Sequence, residues 1–298
     1  NLLLALAVGL MLGLGIALAK AVLDPGMYSK EVALAAAGGV PILTSIPDAR
    51  SSGSRLTPAR LSAQLRHPGQ TRIASDTGRG FAIDGAVAEA YADLRTRLTM
   101  FTSSPPRVIV ITSPREADGK STVAANLAIA FAKLGTRTLL LDGDLRRGVL
   151  AARFGLPANA PGLGRVLHGT TNESEAIQER SVDSNGSVLD LLPAGDSPRH
   201  PTELLDSPGL GRLISDLRGR YDMIVIDTPP LDAVADALLL ARLADGALLV
   251  TRAGATNRQG LEEAVAELDA IGAHVHGLVL SGFGSRQKTH TAYAWDNA

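Results

Sequence analysis

The chain has 298 residues, a formal net charge of −1 and no cysteine. Near-neutrality argues against a general nucleic-acid-binding surface, and the absence of thiols excludes disulfides and thiolate metal centres. The length holds one large α/β domain with appendages.

Because the chain opens on Asn1 rather than Met, it reads as a piece of something longer or as a processed product. Leu2 to Ala19 is an uninterrupted apolar run, about 27 Å long as a helix, which suits a membrane crossing. Ala17-Leu18-Ala19 resembles a signal-peptide cleavage site, but no basic region precedes the run, and export would separate a nucleotide site from ATP. Residues 1–23 are therefore expected to form a transmembrane helix, and 24–50 a juxtamembrane segment with a helix over 30–37 and a short strand over 41–47. Residues 51–80 carry Arg55, Arg60, Arg66, Arg72 and Arg79 among Ser, Gly, Thr and Pro, the composition of a flexible linker. Its positive charge places the C-terminal part of the chain on the cytoplasmic side of the cell (inner) membrane, within reach of anionic headgroups.

From residue 81 to 284 helices and strands alternate. Periodicity predicts a helix over 86–101, strands over 107–112 and 138–141, and helices over 145–154 and 163–168. A strand over 188–192, a helix over 202–217 and a strand over 223–226 come next. A helix over 238–243, a strand over 247–251, a helix over 259–271 and a strand over 275–280 complete the series. This succession predicts a mostly parallel sheet with helices on both faces, of P-loop NTPase type, and ligands on such sheets sit beyond the carboxyl ends of the strands. Residues 285–298 form a C-terminal tail.

The chemistry gathers at those strand ends. The first central strand runs through Pro114, Arg115, Ala117 and Asp118 into Gly119-Lys120-Ser121-Thr122. A strand, a turn and a helix that opens Gly-Lys-Ser can wrap phosphates: backbone N–H groups take the anion, Lys120 reaches the β- and γ-phosphates, and the Ser121 hydroxyl can ligate Mg²⁺. Pro114 replaces the usual first glycine of that pattern. The next strand ends in Asp142-Gly143-Asp144, and a later one in Asp227-Thr228-Pro229-Pro230. A single aspartate there would serve equally as a helix cap, but two apolar strands each ending in Asp, downstream of GKST, point to a magnesium nucleotide site. His274 and His276 alternate on the last strand and share a face; with no third ligand near, they are expected to face solvent. Tyr91 and Tyr221 are expected to pack within the domain.

LLLDGDLRR and YDMIVIDTPP resemble the second Walker-type motif and the Walker B segment of bacterial tyrosine kinases of the polysaccharide co-polymerase type. GGVPILTSIPD is similar to their juxtamembrane segment, and Asp236 to their downstream acidic residue. The resemblance implies a membrane-anchored protein-tyrosine autokinase that uses ATP and Mg²⁺ and regulates exopolysaccharide or capsule biosynthesis and export. It implies a homo-oligomer formed through the P-loop domain and partners in the polysaccharide polymerase and export machinery, with no nucleic acid. By motif, Lys120 would bind phosphates, Ser121 and Asp144 would hold Mg²⁺ directly or through water, Asp142 would act as base, and Asp227 would support the metal. Tyr293, the one tyrosine after Ser285, would be the phosphoacceptor. Three further positions depart from the pattern: Ala92 interrupts the E-x-x-R-x-x-R motif held by Glu89 and Arg95, Arg115 stands where partitioning ATPases carry a signature lysine, and Ser281 stands where relatives have Asn near the base. An ATP-switched co-polymerase regulator with little kinase activity, or a partitioning-type ATPase, would share the same loop.

Overall fold

The computed structural model describes Gly9, Gly13 and residues 30–47, 85–100, 105–157 and 159–282. The expected membrane helix, apart from Gly9 and Gly13, the Arg-rich linker and Tyr293 lie outside the described residues. Among the described residues no helix is long and apolar enough to cross a membrane.

Eight strands form one sheet: β1 (Ile42–Ile46), β2 (Val108–Thr112), β3 (Thr138–Asp142), β4 (Gln178–Ser181), β5 (Val188–Leu192), β6 (Met223–Asp227), β7 (Gly246–Arg252) and β8 (Val275–Ser281). Their order is β1-β8-β7-β2-β6-β3-β5-β4, and every neighbouring pair is parallel except β4 with β5. The chain moves outward from β2 to β3 and β5, returns to insert β6, then crosses to build β7 and β8 on the other side. Order therefore reverses at β2, the position where such sheets open a ligand crevice.

Alternation along each strand splits the core in two. Val108, Val110, Leu139, Leu141, Ile224 and Ile226 face a layer that contains α8 (Pro208–Arg220), α9 (Asp236–Ala241) and α10 (Arg258–Ala270). Ile109, Ile111, Leu140, Val225, Leu248 and Val250 face α2 (Ala86–Met100) and α3 (Lys120–Ala132). Each fully buried Leu or Ile contributes about 1.5–3 kcal/mol. The unbroken apolar strand sequences follow from this two-sided burial.

The described part of the 24–50 segment, residues 30–47, joins the same unit. Its α1 (Lys30–Ala36) packs on α10, and β1 pairs with β8. Four short helices complete the described elements: α4 (Leu150–Arg153), α5 (Leu163–Leu167), α6 (Glu173–Ala176) and α7 (Pro201–Leu205). The helix expected over 202–217 is two helices, α7 and α8, because Pro208 lacks an N–H and holds Ser207 extended at φ −72°, ψ 149°. The helix expected over 145–154 shrinks to α4 because the residues before it are drawn into a turn around Asp144.

Candidate nucleotide site

All five residues of β2 are buried, and the chain leaves it through Ser113 and Pro114, both also buried. Ser113 Oγ donates to the Arg115 carbonyl at 2.7 Å, closing the first part of the loop. The segment after β6 fixes the loop from one side: Leu231 N–H donates to the Ser113 carbonyl (2.9 Å) and Asp232 N–H to the Pro114 carbonyl (3.3 Å). Ala117, at φ 67°, is the one described non-glycine residue with positive φ, and the Arg252 guanidinium donates to its carbonyl at 3.1 Å. Gly119 comes next but one at φ 101° and opens α3 with no side-chain cap. First-turn N–H groups of α3 are thus left for an anion, reinforced by the positive end of the helix dipole.

Register brings the carboxylates together. Asp142 pairs with Asp227 across β3 and β6, and Ile111 with Asp227 across β2 and β6. Leu140 and Val225 point to the α3 side, so Asp142 and Asp227, two residues further on, leave the sheet on that same side. Gly143 N–H donates to the Asp227 carbonyl at 2.7 Å, and a Cβ on Gly143 would lie 2.9 Å from that oxygen, so this crossing requires glycine.

The aspartates are held differently. Asp142 accepts from Asp144 N–H (3.3 Å) on one oxygen and from Leu150 N–H (3.1 Å) on the other. Asp144 accepts from the N–H groups of Arg146 (3.2 Å) and Arg147 (2.9 Å) through Oδ1. Both Asp227 oxygens are buried without a hydrogen-bond partner. Ser121 lies close enough to favour the charged form of Asp227 without completing a bond of good geometry. Burial, then the charge of Asp227, pushes the Asp142 carboxyl upward; burial also raises Asp227, against the pull of Lys120, Ser121 and Arg153. A buried carboxylate with unfilled oxygens, beside a serine hydroxyl and a lysine, suits hydrated Mg²⁺, which takes one or two carboxylates and keeps several waters.

The Asp118 side chain is braced by its neighbours: Oδ1 accepts from Thr256 Oγ1 (2.9 Å) and Oδ2 from Arg115 N–H (3.2 Å). Desolvation raises its pKa to about 6. Arg115 is exposed and lines a cavity of about 190 Å³ with Asp232, Glu263 and Glu267. That cavity touches none of Lys120, Asp142, Asp144 or Asp227, so it lies beside the phosphate cradle and does not form it.

Several contacts of the site were not visible in the sequence. Arg153, half-buried, donates to Thr122 Oγ1 at 3.0 Å. Thr256 braces Asp118, and Ser281 Oγ would lie 3.2 Å from a Cβ on Gly119. Arg146 donates to the fully buried Asp236 at 3.0 Å, and Thr202 Oγ1 donates to the same carboxylate at 2.6 Å, tying α7 and α9 to the turn around Asp144. An exposed pair, Arg147 with Glu116 at 2.7 Å, links that turn to the phosphate loop; exposure leaves it worth little energetically. None of these had a local signal, because each partner is distant in sequence.

The remaining expectations divide. Tyr91 and Tyr221 are buried as expected, the latter donating to Asp190 at 2.7 Å. Glu89 is exposed, whereas Arg95 donates to the Ala130 carbonyl at 3.0 Å and so braces α2 on α3. His276 is corrected: both ring nitrogens are buried and unpartnered, the ring packs edge-on to His274 at 4.7 Å, and burial lowers its pKa. Among the described residues no group of three potential ligands could hold a metal through nitrogen, sulfur or carboxylate donors alone.

Comparison with known proteins gives the same picture. Residues 106–277 match the AAA domain family. The chain is 33% identical over 205 residues to tyrosine-protein kinase CpsD of Streptococcus agalactiae, covering 69% of this chain and 87% of that one. Its fold is similar to the kinase domain of the Escherichia coli tyrosine kinase ETK, with TM-score 0.69, 26% identity, and 87% and 96% of the two chains covered. It is also similar to the septum site-determining protein MinD of Pyrococcus horikoshii, solved with Mg-ADP, with TM-score 0.50, 28% identity, and 58% and 69% covered.

Proposed function

Because this chain belongs to the family of bacterial tyrosine-protein kinases with an AAA-type domain, we propose that it transfers the γ-phosphoryl group of Mg·ATP to tyrosine hydroxyls. The observation that carries this reading is the buried Asp227 carboxylate with both oxygens unfilled, one strand from Asp142 and at the foot of the Lys120 helix. Ser121, Asp144 and Asp227 would hold Mg²⁺, directly or through water, and the ion would neutralise charge on the phosphates.

The chain's own groups supply the rest. The α3 amides and Lys120 fix the phosphates, so that little more than positioning and charge compensation is required. The acceptor hydroxyl forms a new O–P bond as the bond between the γ-phosphorus and the β–γ bridging oxygen breaks, and ADP departs. Asp142 takes the phenolic proton; its raised pKa brings its basicity nearer to neutral pH. Tyr293 of a neighbouring subunit is the proposed acceptor, and the kinase domain is proposed to act on the cytoplasmic face of a membrane-bound capsule or exopolysaccharide assembly. A second reading, an ATP-driven assembly switch with little phosphotransfer, draws support from the single tyrosine after Ser285.

Incubation of the full chain with labelled Mg·ATP, then phosphate mapping by mass spectrometry, separates the two. Phosphotyrosine on the unmodified chain and none on Lys120→Met is the kinase result; loss of that signal in Tyr293→Phe assigns the acceptor. ATP binding without phosphotyrosine leaves the switch.

A further inference from the structure

Arg153 is the last residue of α4, and its side chain reaches from the β3 side of the site to the first turn of α3. There the guanidinium donates to Thr122 Oγ1, the hydroxyl next after Ser121, at 3.0 Å. That is its one side-chain hydrogen bond among the described residues, which leaves most of its five N–H donors for another acceptor. The negative charges of Asp227 and Asp142 both act on it, yet no ion pair within 4 Å forms between Arg153 and a described carboxylate.

A purely structural arginine in such a place would close a two-pronged pair with one of those carboxylates, because desolvating a guanidinium is costly unless its donors are filled. Here the donors are held short of the carboxylates and tied by one bond to the phosphate loop itself. The planar fork of arginine matches phosphate oxygens. The surroundings would also keep the side chain in place: Tyr91, buried on α2, has its hydroxyl beside Asn126 of α3 and within the electrostatic reach of Arg153.

We propose that Arg153 is a second phosphate-binding cation of this site, which donates to the α- and β-phosphates of the bound nucleoside di- or triphosphate from its anchor on Thr122. The proposal rests on the reading of the loop as a nucleotide site. Lys120 serves the β- and γ-phosphates from the loop; Arg153 serves the inner phosphates from α4. Nucleotide occupancy would therefore be felt directly by the segment after Asp142 and Asp144.

Calorimetric titration of the full chain with ADP, ATP and adenosine tests it, using Arg153→Met and Arg153→Lys, with Lys120→Met as reference and circular dichroism to check folding. Loss of a charge-assisted phosphate contact in Arg153→Met should weaken ADP and ATP by about tenfold, with adenosine unchanged and Arg153→Lys recovering part of the loss. A double-mutant cycle with Asp142→Asn separates direct from indirect action: the tenfold loss persists in the Asp142→Asn background if Arg153 touches phosphate. Unchanged ADP affinity in folded Arg153→Met, or a loss that vanishes in the Asp142→Asn background, overturns the proposal while the nucleotide reading stands. Failure of the unmodified chain to bind ATP removes the reading itself. Should Arg153→Met not fold, Arg153→Lys and Arg153→Gln carry the same comparison, in which equal ADP affinity for the two again overturns it.

Discussion

The two edges of the sheet treat aspartate in opposite ways. At the amino edge, Asp245 accepts from the N–H groups of Arg107 (2.7 Å) and Val108 (2.8 Å) and pairs with Arg218 at 2.8 Å. Burial pushes its pKa up, but those donors outweigh it and hold the carboxyl below the usual range. At the carboxyl edge, burial raises Asp227 and nothing donates to it. A fold that fills every acceptor of one aspartate and leaves another bare has used the first as a fastener and kept the second for a ligand. Burial and hydrogen-bond saturation both distinguish them: Asp245 is exposed and filled, Asp227 buried and bare.

The most severe way to break this comparison is to neutralise the bare carboxylate. Asp227→Asn should lower phosphotransfer by about 10²-fold or more, since charge stabilisation at the phosphates is the main catalytic demand. The same change removes a buried charge that has no hydrogen-bond partner, so the nucleotide-free protein should become more stable by about 1–3 kcal/mol. Kinase assay and thermal unfolding on one preparation check both signs. A variant that loses activity and stability together would mean that Asp227 is a structural residue.

Asp245→Ala should do the reverse. It frees two backbone N–H groups and the Arg218 guanidinium, at a cost of about 2–3 kcal/mol in unfolding free energy. ADP affinity should stay within about twofold, because the change lies at the far end of the strands from the Lys120 loop. Urea unfolding paired with calorimetry decides it, and a large loss of ADP affinity would contradict the separation of the two edges.

Much of this arrangement was legible in the chain. The apolar runs ending in Asp142 and Asp227, and the GKST helix, gave the parallel sheet and its functional edge, because strands buried on both faces leave a continuous apolar signature. The polar strand Gln178–Ser181 left none: it lies at the sheet edge with alternate residues exposed, and pairing with β5 defines it. Arg153 and Thr256 were invisible for a related reason. Their partners, Thr122 and Asp118, are 31 and 138 residues away, so only the fold makes them neighbours. His276 was misread because alternation predicts which residues share a face and does not show that Gly246 leaves room for a ring to pack there. A Cβ on Gly246 would lie 2.6 Å from His276 Nε2.

Asp118 gives the finest test, because it stands at the carboxyl edge but is bonded like a fastener. Its folded pKa, about 6, exceeds the ordinary 3.8, so between those values the folded protein binds more protons than the unfolded chain. Stability from this group is therefore fully present below about pH 4 and is lost as pH rises through about 6. The size of the effect is about 2 kcal/mol, order of magnitude, and Asp142 and Asp227 add a slope of the same sign. Asp118→Asn cancels only the first contribution: its amide oxygen still accepts from Thr256, while its NH₂ cannot accept from Arg115. The difference between unmodified and variant melting temperatures, measured from pH 4 to 6.5 without nucleotide, should change by several degrees in favour of the variant as pH rises. A pH-independent difference would show that Asp118 titrates as an ordinary carboxylate and that its bonds to Thr256 and Arg115 fully offset its burial, which would place it with Asp245 rather than between the two classes.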